Sequence, residues 1–178
     1  GYHTGEVWWT VVVDGRSHTP GTVVVIGDSV SEGWLAYGPP GQRWSDVLAT
    51  RLNALPADKR LSVTNAAISG NIAAMEDIVE RAHARGVAVI GGTLIPMGKE
   101  PGTVQETSRQ AVNAWIRTGG AFDAVIDFDR MVRNPQAPWQ IYPAWQAPPW
   151  LGNYDHPNAM GHAVMGQQIP LKVFSVAR

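Results

Sequence analysis

The run Val23-Val24-Val25-Ile26-Gly27-Asp28-Ser29-Val30-Ser31-Glu32-Gly33-Trp34 constrains this chain more than any other stretch. Four consecutive β-branched residues predict a strand buried on both faces, as in a parallel sheet. Gly27 ends the strand, and Gly33 loosens the chain a few residues on. Ser29 therefore stands at the strand's carboxyl end, where open parallel sheets bind their ligands. A serine delivered there by a rigid strand is placed to act as a nucleophile. It is also, like Asp28 and Ser31, a good helix N-cap residue. This stretch alone leaves both roles open.

The 178 residues suffice for one α/β domain with a real core and are short for two. A net charge of −1 gives no electrostatic attraction to nucleic acid or to an anionic membrane, so neither is expected as a partner. The absence of cysteine excludes disulfides, cysteine nucleophiles and cysteine-ligated zinc. No signal peptide is recognisable, and no apolar run is long enough to span a bilayer. Trp115, Trp139, Trp145 and Trp150 lie in the second half, three of them in one Pro-rich loop. Such rings can pack an irregular loop, line an acyl pocket or stack on a sugar.

Residues 1–20 read as an N-terminal strand, centred on 7–13, and a polar link. The domain proper is expected over 21–178. Its strands are predicted at 22–27, 61–68, 87–90 and 124–129. Helices are predicted at 43–55, with apolar positions 44, 47, 48, 52 and 55, and at 75–85. Two more follow at 103–117, on Val104, Ala111, Val112, Trp115 and Ile116, and from Asn158 to Gln168. A long irregular loop is expected between the last strand and the last helix. The alternation predicts a mostly parallel, doubly wound sheet with helices on both faces.

Three stretches resemble the motif blocks of the SGNH hydrolases, also called GDSL esterases and lipases. Gly27-Asp28-Ser29-Val30 is similar to their Gly-Asp-Ser-Leu block. Asn65-Ala66-Ala67-Ile68-Ser69-Gly70-Asn71 is similar to the second block, and Asp155-His156-Pro157-Asn158-Ala159-Met160-Gly161-His162 to the last. The resemblance covers roughly residues 20–175 and implies a three-layer α/β/α, flavodoxin-like domain. It implies Ser29 as nucleophile and His156 as general base. The backbone N–H groups of Ser29 and Gly70 would form the oxyanion hole. No cofactor or metal is implied. The family's habits also imply a secreted bacterial protein, its signal peptide absent from this chain.

The chain departs from the family pattern in two places. The third block, a Gly-x-Asn-Asp segment whose asparagine is an oxyanion donor, is missing. The sheet is therefore expected to be shorter by one βα unit, with strands 22–27 and 87–90 as neighbours. Asn71 is the nearest candidate to replace the lost side chain, and otherwise a turn residue. The family also places an aspartate three residues before the histidine, where this chain has Asn153. Asp155 stands beside His156 instead. Asp155 is taken as the orienting acid, with Asn153 as the alternative.

His156 and His162 with Asp155 also offer metal-ligand chemistry, but no third ligand at a familiar spacing accompanies the histidines. Asp127 and Asp129 flank Phe128 at a strand end and are read as loop anchors rather than an acid/base pair. The expected activity is hydrolysis of short-chain acyl or carbohydrate acetyl esters through an acyl-serine. The alternative is a weak or inactive SGNH-fold protein that binds a glycan or serves as a scaffold. A Trp-rich all-β binding module is excluded by the predicted helices.

Overall fold

A computed structural model describes residues 21–36, 41–67, 75–148 and 155–177. Strand β1 (Thr22–Val25) runs into the short helix α1 (Ser29–Glu32). Helix α2 (Trp44–Asn53) then returns the chain to β2 (Ser62–Asn65), which pairs parallel with β1 from Thr22↔Ser62 to Val25↔Asn65. Helix α3 (Met75–His83) leads to β3 (Ile90–Gly92), and α4 (Val104–Thr118) to β4 (Ala124–Ile126). β3 and β4 form a second parallel pair. Helix α5 (Phe128–Val132), the antiparallel hairpin β5 (Arg133–Asn134) and β6 (Ala137–Ile141), and a 3-10 turn at Pro143–Trp145 follow. Helix α6 (Ala159–Gln168) and a 3-10 segment at Leu171–Ala177 close the described chain. The α/β class and the parallel βαβ pattern are as expected; the N-terminal strand at 7–13 lies outside the described residues.

The sheet differs from the expected continuous one. Among the described residues β1 to β4 form two parallel pairs, and no ladder joins β1 to β3. The third strand also begins at Ile90, not at Val87. The Asp123 carboxylate accepts from Val89 N at 2.7 Å, and Asp123 N donates to Val89 O at 2.9 Å. Those bonds divert residue 89 from the ladder, and Val87 is left 55% exposed.

The core joins the two halves. Val25 and Ile126 at the strand ends pack with Trp44, Leu48 and Leu52 of α2, with Met165 of α6, and with Ile169, Val173 and Phe174 beyond it. The 44/48/52 spacing is one helical stripe, as the apolar pattern predicted. Gly166 lets α2 and α6 approach closely, since a Cβ there would sit 2.5 Å from Trp44 O and 2.6 Å from Val47 Cβ. Arg51 donates to Gly166 O at 2.6 Å and Ile169 O at 2.9 Å, partnering carbonyls that the end of α6 leaves unpaired.

Helix α4 forms where expected, but of its expected apolar positions only Ile116 is buried, and polar residues fill the rest of the buried face. Val104 is 78% exposed, whereas Glu106, Arg109, Asn113 and Ile116 are buried. The reason is a polar network. Arg109 donates to both Glu106 carboxylate oxygens at 2.7 Å, to Asp129 Oδ1 at 2.7 Å and to Leu94 O at 3.1 Å. The Asn113 amide bonds both Leu94 N and Leu94 O. Arg117 adds bonds to Asp127 and Asp129. Asp127 also accepts from Arg130 N and so caps α5, which ends β4 at Ile126 rather than at 129. Asp127 and Asp129 thus anchor the chain after β4. The stretch expected to be an irregular loop carries α5 and the hairpin; Pro138 is tolerated because its sheet has only two strands.

Candidate active site

At the end of β1 the two roles open to Ser29 are divided between neighbours. Asp28 caps α1, accepting from Val30 N at 3.0 Å. The Ser29 hydroxyl is thereby left for another partner, and its Oγ lies 2.8 Å from His156 Nε2. His156 Nδ1 lies 2.9 Å from Asp155 Oδ1. The structure thus brings together three of the residues singled out from sequence, across 127 positions between serine and histidine. The His156 side chain is 13% exposed and that of Asp155 is 45% exposed. Gly70, Asn71 and Asn153 lie outside the described residues.

Several contacts fix the segment that carries His156. Ala147 N donates to His156 O at 2.9 Å, and Asn158 N to Trp145 O at 2.8 Å. The Asn158 amide donates to Ala144 O and Gln146 O at 2.9 and 3.0 Å. Its Oδ1 accepts from Gly161 N and caps α6. One side chain therefore ties the 3-10 turn at 143–145, the histidine segment and the start of α6 together. Across the site, Asn65 at the end of β2 donates to Ser31 O at 2.7 Å and Ser45 Oγ at 3.0 Å, which holds α1 against α2.

Two further residues bear on the imidazole, neither given a catalytic part by the motifs. The Trp34 ring lies tilted by 44° against the His156 ring, centroids 6.2 Å apart. His162, wholly buried, places its Nε2 3.1 Å from Trp34 O. The acceptor is a carbonyl, so Nε2 carries the proton and donates. Burial pushes His162 below the usual imidazole range, and the nearby His156 adds to this; the Trp34 carbonyl and Asp46 oppose it. The only signal for Trp34 in sequence was its place just beyond Ser29. Among the described residues no group of three or more His, Cys, Asp or Glu could hold a metal ion.

No protein-family model matches the sequence, and no curated protein matches it. Solved structures do. A protein assigned to the G-D-S-L lipolytic family from Desulfitobacterium hafniense superposes with a TM-score of 0.61 at 14% identity, over 86% of this chain and 98% of that one. Axe2, an acetylxylan esterase from Geobacillus stearothermophilus, gives 0.57 at 15% identity, over 89% and 94%. LAE5, an α/β hydrolase from the metagenome of Lake Arreo, gives 0.56 at 16%, over 89% and 95%. The chain has the SGNH hydrolase fold. At these identities the likeness to the SGNH enzymes is one of fold.

Axe2 forms substituted singly at a serine, a histidine and an aspartate are each described as catalytic mutants of that enzyme. Its aspartate stands three residues before its histidine. Three residues before His156 the present sequence has Asn153, which lies outside the described residues, and the carboxylate found against the imidazole belongs to Asp155. Among the described residues no helix is long and apolar enough to cross a membrane.

Proposed function

We propose that this protein is a serine esterase that hydrolyses carboxylic esters, of short-chain acyl or carbohydrate acetyl type, through an acyl-serine intermediate. The continuous Ser29–His156–Asp155 contact carries the reading. A serine hydroxyl attacks weakly until a base takes its proton. His156 Nε2, at hydrogen-bond distance, takes that proton as Ser29 Oγ adds to the ester carbonyl. The Asp155 carboxylate holds Nδ1–H and so fixes the tautomer that leaves Nε2 free to accept. The imidazolium then returns the proton to the leaving alcohol, and water releases the acyl group by the same steps. Backbone N–H groups of Ser29 and Gly70 face the oxyanion in this reading, with Asn71 standing in for the asparagine of the missing block. Each such donor lowers the barrier by about 2.7–4 kcal/mol.

The fold likeness to an acetylxylan esterase supports ester hydrolysis and makes carbohydrate acetyl esters the first substrates to try. Secretion belongs to the same reading, since polymeric carbohydrate esters are met outside the cell. A fluorophosphonate probe and a short-chain aryl ester test the proposal, with Ser29→Ala as control. Labelling and turnover that both vanish in Ser29→Ala are expected. The missing third block and the half-exposed Asp155 favour one other reading, an SGNH-fold binder without catalysis. A folded protein that takes no label and turns over no ester would establish that one instead.

A further inference from the structure

Trp34 sits in a turn that the backbone makes at a cost. Gly33 on one side has φ +97° and Leu35 on the other φ +64°. A leucine in the left-handed region is uncommon and strained. Gly33 N and Trp34 N both donate to Ser29 O, at 3.0 and 2.9 Å, and Ala36 N closes the turn on Gly33 O at 3.1 Å. The two reversals turn Leu35 into the interior, 7% exposed, and leave Trp34 46% exposed. The exposed ring is the one tilted against the His156 imidazole.

The turn is also held from below. His162 is completely buried, its Nε2 bonds the Trp34 carbonyl, and its Nδ1 has no hydrogen-bond partner among the described residues. An unpaired nitrogen in the interior opposes folding, and an apolar side chain at the same place would not carry it. The one hydrogen bond this ring makes goes to the residue beside the imidazole of the site.

We propose that Trp34 is the specificity-determining wall for the alcohol half of the ester, and that His162 is its positioning residue. This rests on the esterase reading. In that chemistry His156 Nε2 must reach the leaving alcohol oxygen, so groups packed on the imidazole border the alcohol rather than the acyl chain. A half-exposed indole offers a flat apolar face there. That face suits a cyclic alcohol, an aryl ring or the C–H face of a pyranose, over a small linear one.

The test compares kcat/KM for phenyl acetate and an acetylated methyl pyranoside with that for ethyl acetate, and separately for phenyl acetate with phenyl butyrate. Trp34→Ala should lower the cyclic-to-ethyl ratios by about tenfold, chiefly through KM, and leave the acetate-to-butyrate ratio in place. Trp34→Phe should fall between. His162→Gln, which retains a donor able to reach the Trp34 carbonyl, should keep wild-type selectivity, whereas His162→Leu should shift it in the direction of Trp34→Ala. Unmoved cyclic-to-ethyl ratios in Trp34→Ala, or a shift in the acyl ratio instead, overturns the assignment of Trp34. Equal behaviour of His162→Gln and His162→Leu overturns that of His162. Fluorophosphonate labelling of the wild type separates the two levels. Labelled protein with unmoved ratios defeats this inference alone, and unlabelled, inactive protein defeats the esterase reading with it.

Discussion

The Asp155 carboxylate holds His156 from a side chain that is 45% exposed and adjacent in sequence. Water screens such a charge, so it stabilises an imidazolium less than a buried aspartate does. Replacing a buried triad aspartate by asparagine, which holds the histidine in the wrong tautomer, costs about 10⁴-fold in kcat. Asp155→Ala is therefore expected to lose less, about 10- to 100-fold in kcat on an aryl ester, with little change in KM. Asn153→Ala measured alongside should lose less still; a larger loss at 153 would transfer the orienting role to that residue. Ser29 and His156 were legible at this scale because strand, glycine and histidine motifs are local patterns. Trp34 and His162 were not. Their roles arise from two left-handed residues and a buried hydrogen bond, none of which leaves a periodic trace in the chain.

Among the elements, the start of α6 depends on one side chain. Asn158 caps the helix and bonds two carbonyls of the preceding turn. Removing an N-cap costs about 1–2 kcal/mol, and here two further acceptors lose their donor. Asn158→Ala should lower the urea midpoint accordingly. It should also reduce kcat by about tenfold at temperatures where the variant is fully folded, because the His156 segment loses its tether. An unchanged kcat would separate the tether from the site. The helices themselves were legible wherever an apolar stripe faces the core, as in α2. α4 shows where that reading stops. Its length follows the pattern, but its buried face is chosen by Arg109, Glu106 and Asn113, whose partners Asp129 and Leu94 come from elsewhere in the chain. Arg109→Met tests this directly. It leaves Glu106 buried without its cation and takes from Asp129 one of its arginines, Arg117 remaining, and the expected loss is about 3–5 kcal/mol in urea unfolding. A loss under about 1 kcal/mol would show that the network is solvated and that α4 is held by Ile116 and its apolar neighbours.

Over the whole molecule these groups set the response to acid. His162 is held below its ordinary value of 6.5 by burial first, so the folded state binds its proton less readily than the unfolded chain. Its contribution is complete above 6.5 and is lost as the pH falls below that value. Glu106 is held below 4.5 by its bond to Arg109, against the opposing effect of burial. Burial alone would raise Asp127, but its bonds to Arg117 and the Arg130 N–H outweigh this and hold it below 3.8. These carboxylates stabilise the fold above those ordinary values, and the contribution is lost as the pH drops through their folded ones. The midpoint of thermal unfolding is therefore expected to be level above about pH 7, to decline gently from about 6.5, and to fall steeply below about 4.5. His162→Gln should remove part of the gentle upper decline and leave the steep lower one. Arg109→Met should act in reverse, weakening the lower limb because Glu106 would lose the partner that keeps it ionised. Parallel pH profiles for His162→Gln and wild type between about 5 and 6.5 would mean that the His162 imidazole titrates alike in the folded and unfolded chain, which its complete burial beneath Trp34 argues against.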